Sequence, residues 1–357
     1  MTIKKMSEYK KYTLRIVAFL LFFIAANAVV WKCWTEKILS SEYHGGDLAR
    51  MGYLPDSKLL RTNHEDLPLR HLEDTEYQGQ PIKVLTIGDS FSNGGGSGKN
   101  RYYQDYIASI NHCNVLNIEP YQSQNFLELV VTLLHNGYLE KVRPEYLIFS
   151  ASEKFCVEKY ALGIDFSAKT DFAQSGTLQR MGYNSTGNGP GVTFMNEGNF
   201  KFLLNSFLYR FSDRAFFSKT FTRELSAPLF TSKDPRRLLF YRDDIRKTAL
   251  STPRTVSMLN DNLNTVADML RKKGIRFYFM PCVDKYNLYS DFIVDNPYPR
   301  STFFEELRKL PKRYTLIDTK AILLPELKRG TKDIFYPDDT HWSWKASEKI
   351  FETVRFP

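Results

Sequence analysis

The near-continuous apolar run from Ile82 to Ile87, closed by Gly88-Asp89-Ser90, constrains the fold of this chain more than any other stretch. A strand that does not alternate apolar with polar residues is buried on both faces, which is the condition of a parallel sheet covered by helices. Where such a strand stops in a small-residue turn, the next side chain stands at the carboxyl edge of the sheet, the place where α/β proteins bind ligands. Ser90 is that side chain. The following helix is expected to aim free backbone N–H groups at the same point.

The rest of the chain repeats this strand and helix rhythm. Asn114 to Ile118 reads as a second strand, and a helix follows in which Phe126, Leu129, Val130, Leu133 and Leu134 recur at helical spacing and Gly137 supplies a stop. Tyr146 to Phe149 is a third strand. Thr252 caps a helix that has Pro253 in its first position and Val256, Leu259, Leu263, Val266 and Leu270 on one face. Ile275 to Met280 and Tyr314 to Ile317 are two further strands, and Lys345 to Val354 is the closing helix. The expectation is a three-layer α/β/α sandwich around a parallel sheet, occupying residues 81–357. An insertion at about 160–247 interrupts it with a Gly/Asn-rich stretch, Ser185 to Gly191, and an aromatic segment containing Phe200, Phe202, Phe207, Tyr209, Phe211, Phe216, Phe217 and Phe221. The spacing of Phe200, Leu203, Leu204, Phe207 and Leu208 is that of an amphipathic helix, which assigns most of these rings to a core near the active-site edge; exposed ones would offer stacking surfaces to a glycan.

Ahead of this domain, Ile16 to Trp31 is the one run apolar enough for a membrane. Tyr12, Trp31 and Trp34 flank it as interfacial aromatics do. Lys4, Lys5, Lys10, Lys11 and Arg15 precede it, whereas Lys32 and Lys37 are accompanied by Glu36 and Glu42, so the positive-inside bias keeps the N-terminus in the cytoplasm. Residues 1–13 are then a cytoplasmic tail, 14–34 a single-pass cell-membrane anchor and 35–80 a stalk. Ala26-Asn27-Ala28 also resembles a signal-peptide cleavage site, but the apolar run continues through Val29, Val30 and Trp31, which favours an uncleaved anchor. Either reading exports the domain to the periplasm or cell surface.

The net charge of +9 comes from Lys and Arg scattered among acidic residues, not gathered into a stripe, so no nucleic-acid partner is expected. An anionic polysaccharide or phospholipid surface suits the excess better. Cys33, Cys113, Cys156 and Cys282 contain no CxxC pair and no metal spacing, so neither a metal nor another cofactor is expected. At most one internal disulfide can form among the last three.

A hydroxyl is a poor nucleophile at neutral pH unless an imidazole removes its proton and a carboxylate orients that imidazole. Asp338-Asp339-Thr340-His341-Trp342 offers both groups close together near the C-terminus. His341 is the expected base for Ser90, with Asp338 or Asp339 as its orienter; the alternative is that both aspartates only cap the last helix. The backbone N–H of Ser90 is one oxyanion donor. The loops near Tyr121 to Gln124 and Ser150 to Lys154 end at the same edge, and Ser152 is a candidate donor there. Lys285, after the fourth strand, would either meet an anionic sugar or be a solvated surface lysine. His44, His64, His71, His112 and His135 lie in no catalytic pattern. The glycine run after Ser90 is not a phosphate loop, because Asn93 and Asn100 stand where Gly and Ser or Thr are required. A nucleophile elbow is also missing, since no second Gly follows Ser90 at the needed spacing.

Gly88-Asp89-Ser90 and the shared Asp/His loop resemble the SGNH, or GDSL-type, hydrolase superfamily. Asp339-Thr340-His341-Trp342, with Phe149 to Phe155 and Pro281 to Tyr286, is similar more narrowly to the SGNH-like domains of alginate-type polysaccharide O-acetyltransferases. Here, however, the serine precedes the Asp-x-His element, and the Gly and Asn blocks of typical superfamily oxyanion holes are not evident. Asp-x-His selects Asp339, whereas ordinary SGNH spacing selects Asp338, and the match to Asp339-Thr340-His341-Trp342 favours Asp339. The resemblance implies a serine O-acyltransferase, most simply an O-acetyltransferase, working through an acyl-enzyme on an exported polysaccharide, with a multi-span membrane acyltransferase delivering the acyl group. A carbohydrate acetyl esterase of the same fold, or a catalytically silent polysaccharide-assembly scaffold, are the alternatives.

Overall fold

The computed structural model describes residues 2–36, 46–50, 65–120, 125–169, 195–196, 198–216 and 218–357. Within them, eight strands form two sheets: β1 (Leu72–Glu73), β2 (Val84–Gly88), β3 (Val115–Ile118), β4 (Tyr146–Ser152), β5 (Thr220–Glu224), β6 (Arg237–Tyr241), β7 (Arg276–Cys282) and β8 (Thr315–Leu316). The larger sheet has six strands in the order β1-β3-β2-β4-β7-β8, and every neighbouring pair in it is parallel. Every residue of β2, β3 and β4 is buried, which is why these strands are mostly apolar and do not alternate with polar residues.

Helices cover both faces of this sheet. Tyr103, at the start of helix Tyr103–Asn111, hydrogen-bonds through its hydroxyl to Ser150 Oγ of β4, and its ring stacks on Phe351 of the closing helix Trp344–Thr353. The next residue of the strand, Phe149, points the other way, as strand geometry requires, and its ring meets Tyr160 of helix Glu153–Tyr160. Tyr160 in turn contacts Phe126 of helix Phe126–His135, and its carbonyl accepts from Asn262 of the long helix Pro253–Arg271. The architecture is therefore α/β with both sheet faces covered.

Chain order reverses at β2. The chain leaves β2 to form β3 on one side, then crosses back to place β4 on the other. Such a switch point opens a crevice at the carboxyl ends of the two central strands, and Ser90 follows β2 directly into it.

The closing helix starts one residue earlier than expected, and its cap is Ser343, whose Oγ accepts from Lys345 N. Asp338 and Asp339 are thus not its caps. Thr252 caps the Pro253 helix as expected. The stretch expected to be a stalk instead contributes to the folded body at two places. Leu72–Glu73 adds the edge strand β1, and Gly46, Leu48 and Ala49 are buried against the loop that carries His341. Sequence patterning does not reveal either, because a two-residue strand and a four-residue turn of helix are too short to show a period.

Within the insertion, β5 and β6 form an antiparallel pair. Thr220 Oγ1 donates to Leu48 O, and Phe240 of β6 packs on Tyr286. Tyr209 and Phe221 are buried, but Phe200, Phe207, Phe211 and Phe216 are exposed, so these four rings are not the core expected of them. Ser185 to Gly191 and Phe217 lie outside the described residues, and Phe202's side chain does as well. The four cysteines are unpaired; Cys156 and Cys282 are buried, Cys113 is partly buried and Cys33 is exposed.

At the N-terminus, helix Thr2–Val30 runs into a π-helical turn, Trp31–Thr35. Glu8–Cys33 is long and apolar enough to cross a membrane, with a mean hydropathy of 2.2 over its best window.

Candidate active site

Gly88 ends β2 where Ser150 of the adjacent strand approaches so closely that a Cβ would lie 2.0 Å from Ser150 Oγ. Only glycine fits there. Asp89 then closes the turn: its Oδ1 accepts from Phe91 N at 3.2 Å, and its Oδ2 accepts from Ser152 N at 2.6 Å and Ser152 Oγ at 2.5 Å. Ser152 is spent on this anchoring and is not free to serve as the oxyanion donor expected from its place in the sequence. Residues 90–96 form successive turns, not the helix expected after the strand, because Asn93-Gly94-Gly95-Gly96 is poor helix-forming sequence. Ser92 N and Asn93 N donate to Asp89 O, and Gly95 N donates to Ser90 O at 2.8 Å, which folds the turn tightly around the serine.

Beneath the turn lies a buried polar network. Thr86 Oγ1 and Gln104 Nε2 each donate to Asn117 Oδ1 at 2.8 Å, Gln104 Nε2 also donates to Ser92 O at 2.9 Å, and Ser92 Oγ pairs with Tyr103 Oη at 2.7 Å. Such a network is costly unless satisfied and holds one geometry when it is. Asn93, three residues after the serine, is buried, and among the described residues its Nδ2 has no hydrogen-bond acceptor.

His341 reaches the serine from the far end of the chain. Its Nε2 lies 2.7 Å from Ser90 Oγ, and its Nδ1 lies 2.7 Å from Asp339 Oδ1, which also accepts from His341 N at 2.9 Å. A carboxylate carries no proton to donate, so Nδ1 bears the hydrogen and Nε2 is the acceptor facing the serine hydroxyl. The Phe91 ring packs 4.8 Å from the His341 ring and 4.6 Å from that of Trp342. A Cβ at Gly95 would fall 2.4 Å from His341 Nε2, so the glycine run makes room for the imidazole. Asp339 is thus the aspartate that holds the imidazole. Asp338 faces away and accepts from Gly46 N at 2.9 Å.

Lys285 neither meets solvent nor lines a sugar site. It is fully buried, and its ammonium donates to Tyr336 O at 2.7 Å, Pro337 O at 2.9 Å and Asp339 O at 3.0 Å. Three carbonyls of the Asp/His loop are therefore gathered on one cation. The loop is pinned further by the Phe335 and Trp342 bridge and by Ser343 N donating to Ile334 O.

Asp47 is the participant that sequence reasoning missed. Its Oδ1 accepts from Thr340 N at 2.8 Å, and its Oδ2 accepts from Thr340 Oγ1. One ligand atom from each of Asp47, Asp339 and His341 lies within 4.8 Å of the others. A cation would tolerate that grouping, but Thr340 and the His341 N–H groups already engage these carboxylates. The site therefore gathers two carboxylates near one imidazole. Burial, and next the charge of Asp339, raises the Asp47 pKa to about 6. Burial disfavours the imidazolium, yet Asp339, by charge and hydrogen bond, and then Asp47 and Asp89 outweigh it and raise the His341 pKa. Burial lowers the Lys285 pKa to about 8 against the opposing pull of Asp338, Asp339 and Asp47.

Of the remaining histidines, His71 is buried between Asp105 at 2.6 Å and Glu73 at 3.2 Å, remote in sequence from these loops. His44, His64 and the loop from Tyr121 to Gln124 lie outside the described residues. In comparisons with known proteins, no family model and no curated sequence matches the chain.

Proposed function

We propose that this chain is a membrane-anchored, SGNH-like serine O-acyltransferase, an O-acetyltransferase in its simplest form, acting on an exported polysaccharide. The observation that carries the reading is the unbroken relay from Ser90 Oγ through His341 to Asp339, with both links at 2.7 Å. Proton-sharing distances on both sides of one imidazole are what an alcohol needs to become a nucleophile. Its location at the switch point of a parallel sheet supports the same conclusion.

In this mechanism Ser90 Oγ attacks the carbonyl carbon of an acyl donor while its proton passes to His341 Nε2. Asp339 holds the ring and steadies the imidazolium. The backbone N–H of Ser90 and the side-chain amide of Asn93 are the donors nearest in the chain for the oxyanion. Collapse expels the donor's oxygen, which takes the proton from His341, and leaves Ser90 acylated. A sugar hydroxyl then gives its proton to His341 and attacks the acyl carbon, and Ser90 leaves with that proton. If water replaces the sugar, the same steps make an esterase. The N-terminal helix and its positive-inside flank support an extracytoplasmic location, where a multi-span membrane acyltransferase would supply the acyl group.

The test is intact-mass spectrometry of the full chain in detergent after exposure to an activated acetyl ester. A single acetyl adduct that is absent from Ser90→Ala is expected. Adding oligosaccharide should then move the acetyl group to sugar; release as acetate alone would assign the esterase, and no Ser90-dependent adduct would leave the scaffold reading.

A further inference from the structure

Helix Gly198–Leu208, which the proposed mechanism does not use, packs against the N-terminal helix well inside its apolar span. Phe200 stacks on Phe23 with ring centroids 5.4 Å apart, and Asn199 Nδ2 donates to Asn27 Oδ1 at 2.8 Å. At about 1.5 Å of rise per residue, Asn27 lies about 9 Å and Phe23 about 15 Å inside Cys33, the outer end of the span. A hydrocarbon layer about 30 Å thick places the Asn27 contact within its outer half and the Phe23 contact near its middle.

Asn27 is 2% exposed, and its own Nδ2 donates to Phe23 O. An asparagine facing lipid would leave its amide unmatched, so its pairing with Asn199 has the character of an interhelical clasp within the membrane. Beyond the clasp, Phe200, Leu204, Phe207 and Phe211 recur at helical spacing on one stripe, and Phe207 and Phe211 are 57% and 77% exposed. Phe216, a few residues on, is 91% exposed. Arg210, Arg214 and Lys219, all exposed, border these rings and match the phosphates of a headgroup layer.

We infer that this stripe is a second membrane contact: Gly198–Leu208 and the segment to Phe216 enter the outer leaflet beside the anchor helix, clasped to it by Asn27 and Asn199. The catalytic domain then stands on the bilayer at two points and keeps a set height and facing, in place of swinging on a flexible stalk. The inference rests on the reading of the N-terminal helix as a membrane span.

The experiment uses the full chain in lipid nanodiscs doped with a phosphatidylcholine that carries a diazirine in its acyl chain. Photolysis expels nitrogen, and the carbene inserts into neighbouring C–H bonds, so peptide mapping reports which residues touch acyl chains. Adducts are expected both in residues 14–33 and in residues 198–216. In Asn199→Leu, the yield over 198–216 should drop about fivefold, the worth of one interhelical hydrogen bond of about 1 kcal/mol, while the anchor yield holds. Adducts on 14–33 with none on 198–216 would overturn the inference and assign the stripe to a protein partner. Absence from both segments would overturn the membrane span and this inference with it. An unchanged yield in Asn199→Leu would refute the clasp.

Discussion

Replacing Asp47 by asparagine tests the electrostatic reading of the site at one atom, because the amide keeps an oxygen for Thr340 N while removing the charge. The ligand atoms of Asp47 and His341 lie within 4.8 Å of one another. At that separation and an effective dielectric of about 20, a unit charge is worth about 3 kcal/mol to the imidazolium, or about 2 pH units. Thr340 draws on the Asp47 charge through two hydrogen bonds, so the expected effect is about one unit. The sign follows from the roles. His341 must be neutral to accept the serine proton, its pKa is raised in the wild type, and the acid limb of the rate profile therefore sits above the ordinary histidine range. Asp47 ionises at about 6, so its charge is present where that limb is traversed. Asp47→Asn should move the limb of kcat/KM down by about one unit, with a plateau rate within about tenfold of wild type because the ring becomes a slightly weaker base. The assay is hydrolysis of an activated acetyl ester followed by pH-stat. A limb that stays in place, or moves upward, would show that Asp47 does not act on His341 and would remove the second carboxylate from the mechanism.

Asp339→Asn should cost about ten-thousand-fold in turnover, since an amide offers His341 no carboxylate and favours the wrong tautomer. Asp338→Asn, which still accepts from Gly46 N, should stay within about tenfold; equal losses in the two variants would contradict the assignment of the orienter. Gly95→Ala should leave the fold intact by circular dichroism yet lower turnover at least about a hundredfold, because a methyl 2.4 Å from Nε2 drives the ring off Ser90. Lys285→Met removes the ammonium from three buried carbonyls, of which Tyr336 O keeps Asp339 N as a donor; the other two cost about 2 kcal/mol each, and about 3 kcal/mol is recovered from no longer burying a cation whose pKa falls from 10.5 to about 8. The net loss of about 1 kcal/mol should appear as a lower urea midpoint at pH 7, and an unchanged midpoint would mean that other bonds hold the loop.

The central strands and the serine turn were legible because burial on both faces writes itself as an unbroken apolar run, and because Gly88 is demanded by the neighbouring strand. The choice between Asp338 and Asp339 was legible only through the resemblance, which favours Asp339, and not from the residues themselves. Both side chains follow the same few residues, and which one turns toward His341 depends on how Lys285 and Gly46 hold the loop from opposite sides. Lys285 carries a weak signal of its burial: Val283, Tyr286 and Leu288 around it are apolar, and a lysine set among them is as easily buried as solvated. Asp47 carried none. It stands next to Gly45-Gly46 in a charged stretch, nearly 300 residues from the loop it touches, and only the folded chain brings them together. The same holds for Asn27 and Asn199, which read separately as a blemish in an apolar helix and a polar residue in a loop. Both cases pair a polar group near the N-terminus with one far along the chain, and both join the membrane-proximal segment to the folded body. The link between anchor and catalytic loop is therefore a packed structure: Asn27 holds Gly198–Leu208, the insertion that follows carries Thr220, Thr220 holds Leu48, and Asp47 beside it holds Thr340. If the N-terminal helix spans a membrane, as proposed, a chain of contacts of this kind would join that span to the loop of the histidine, which a free stalk would not do.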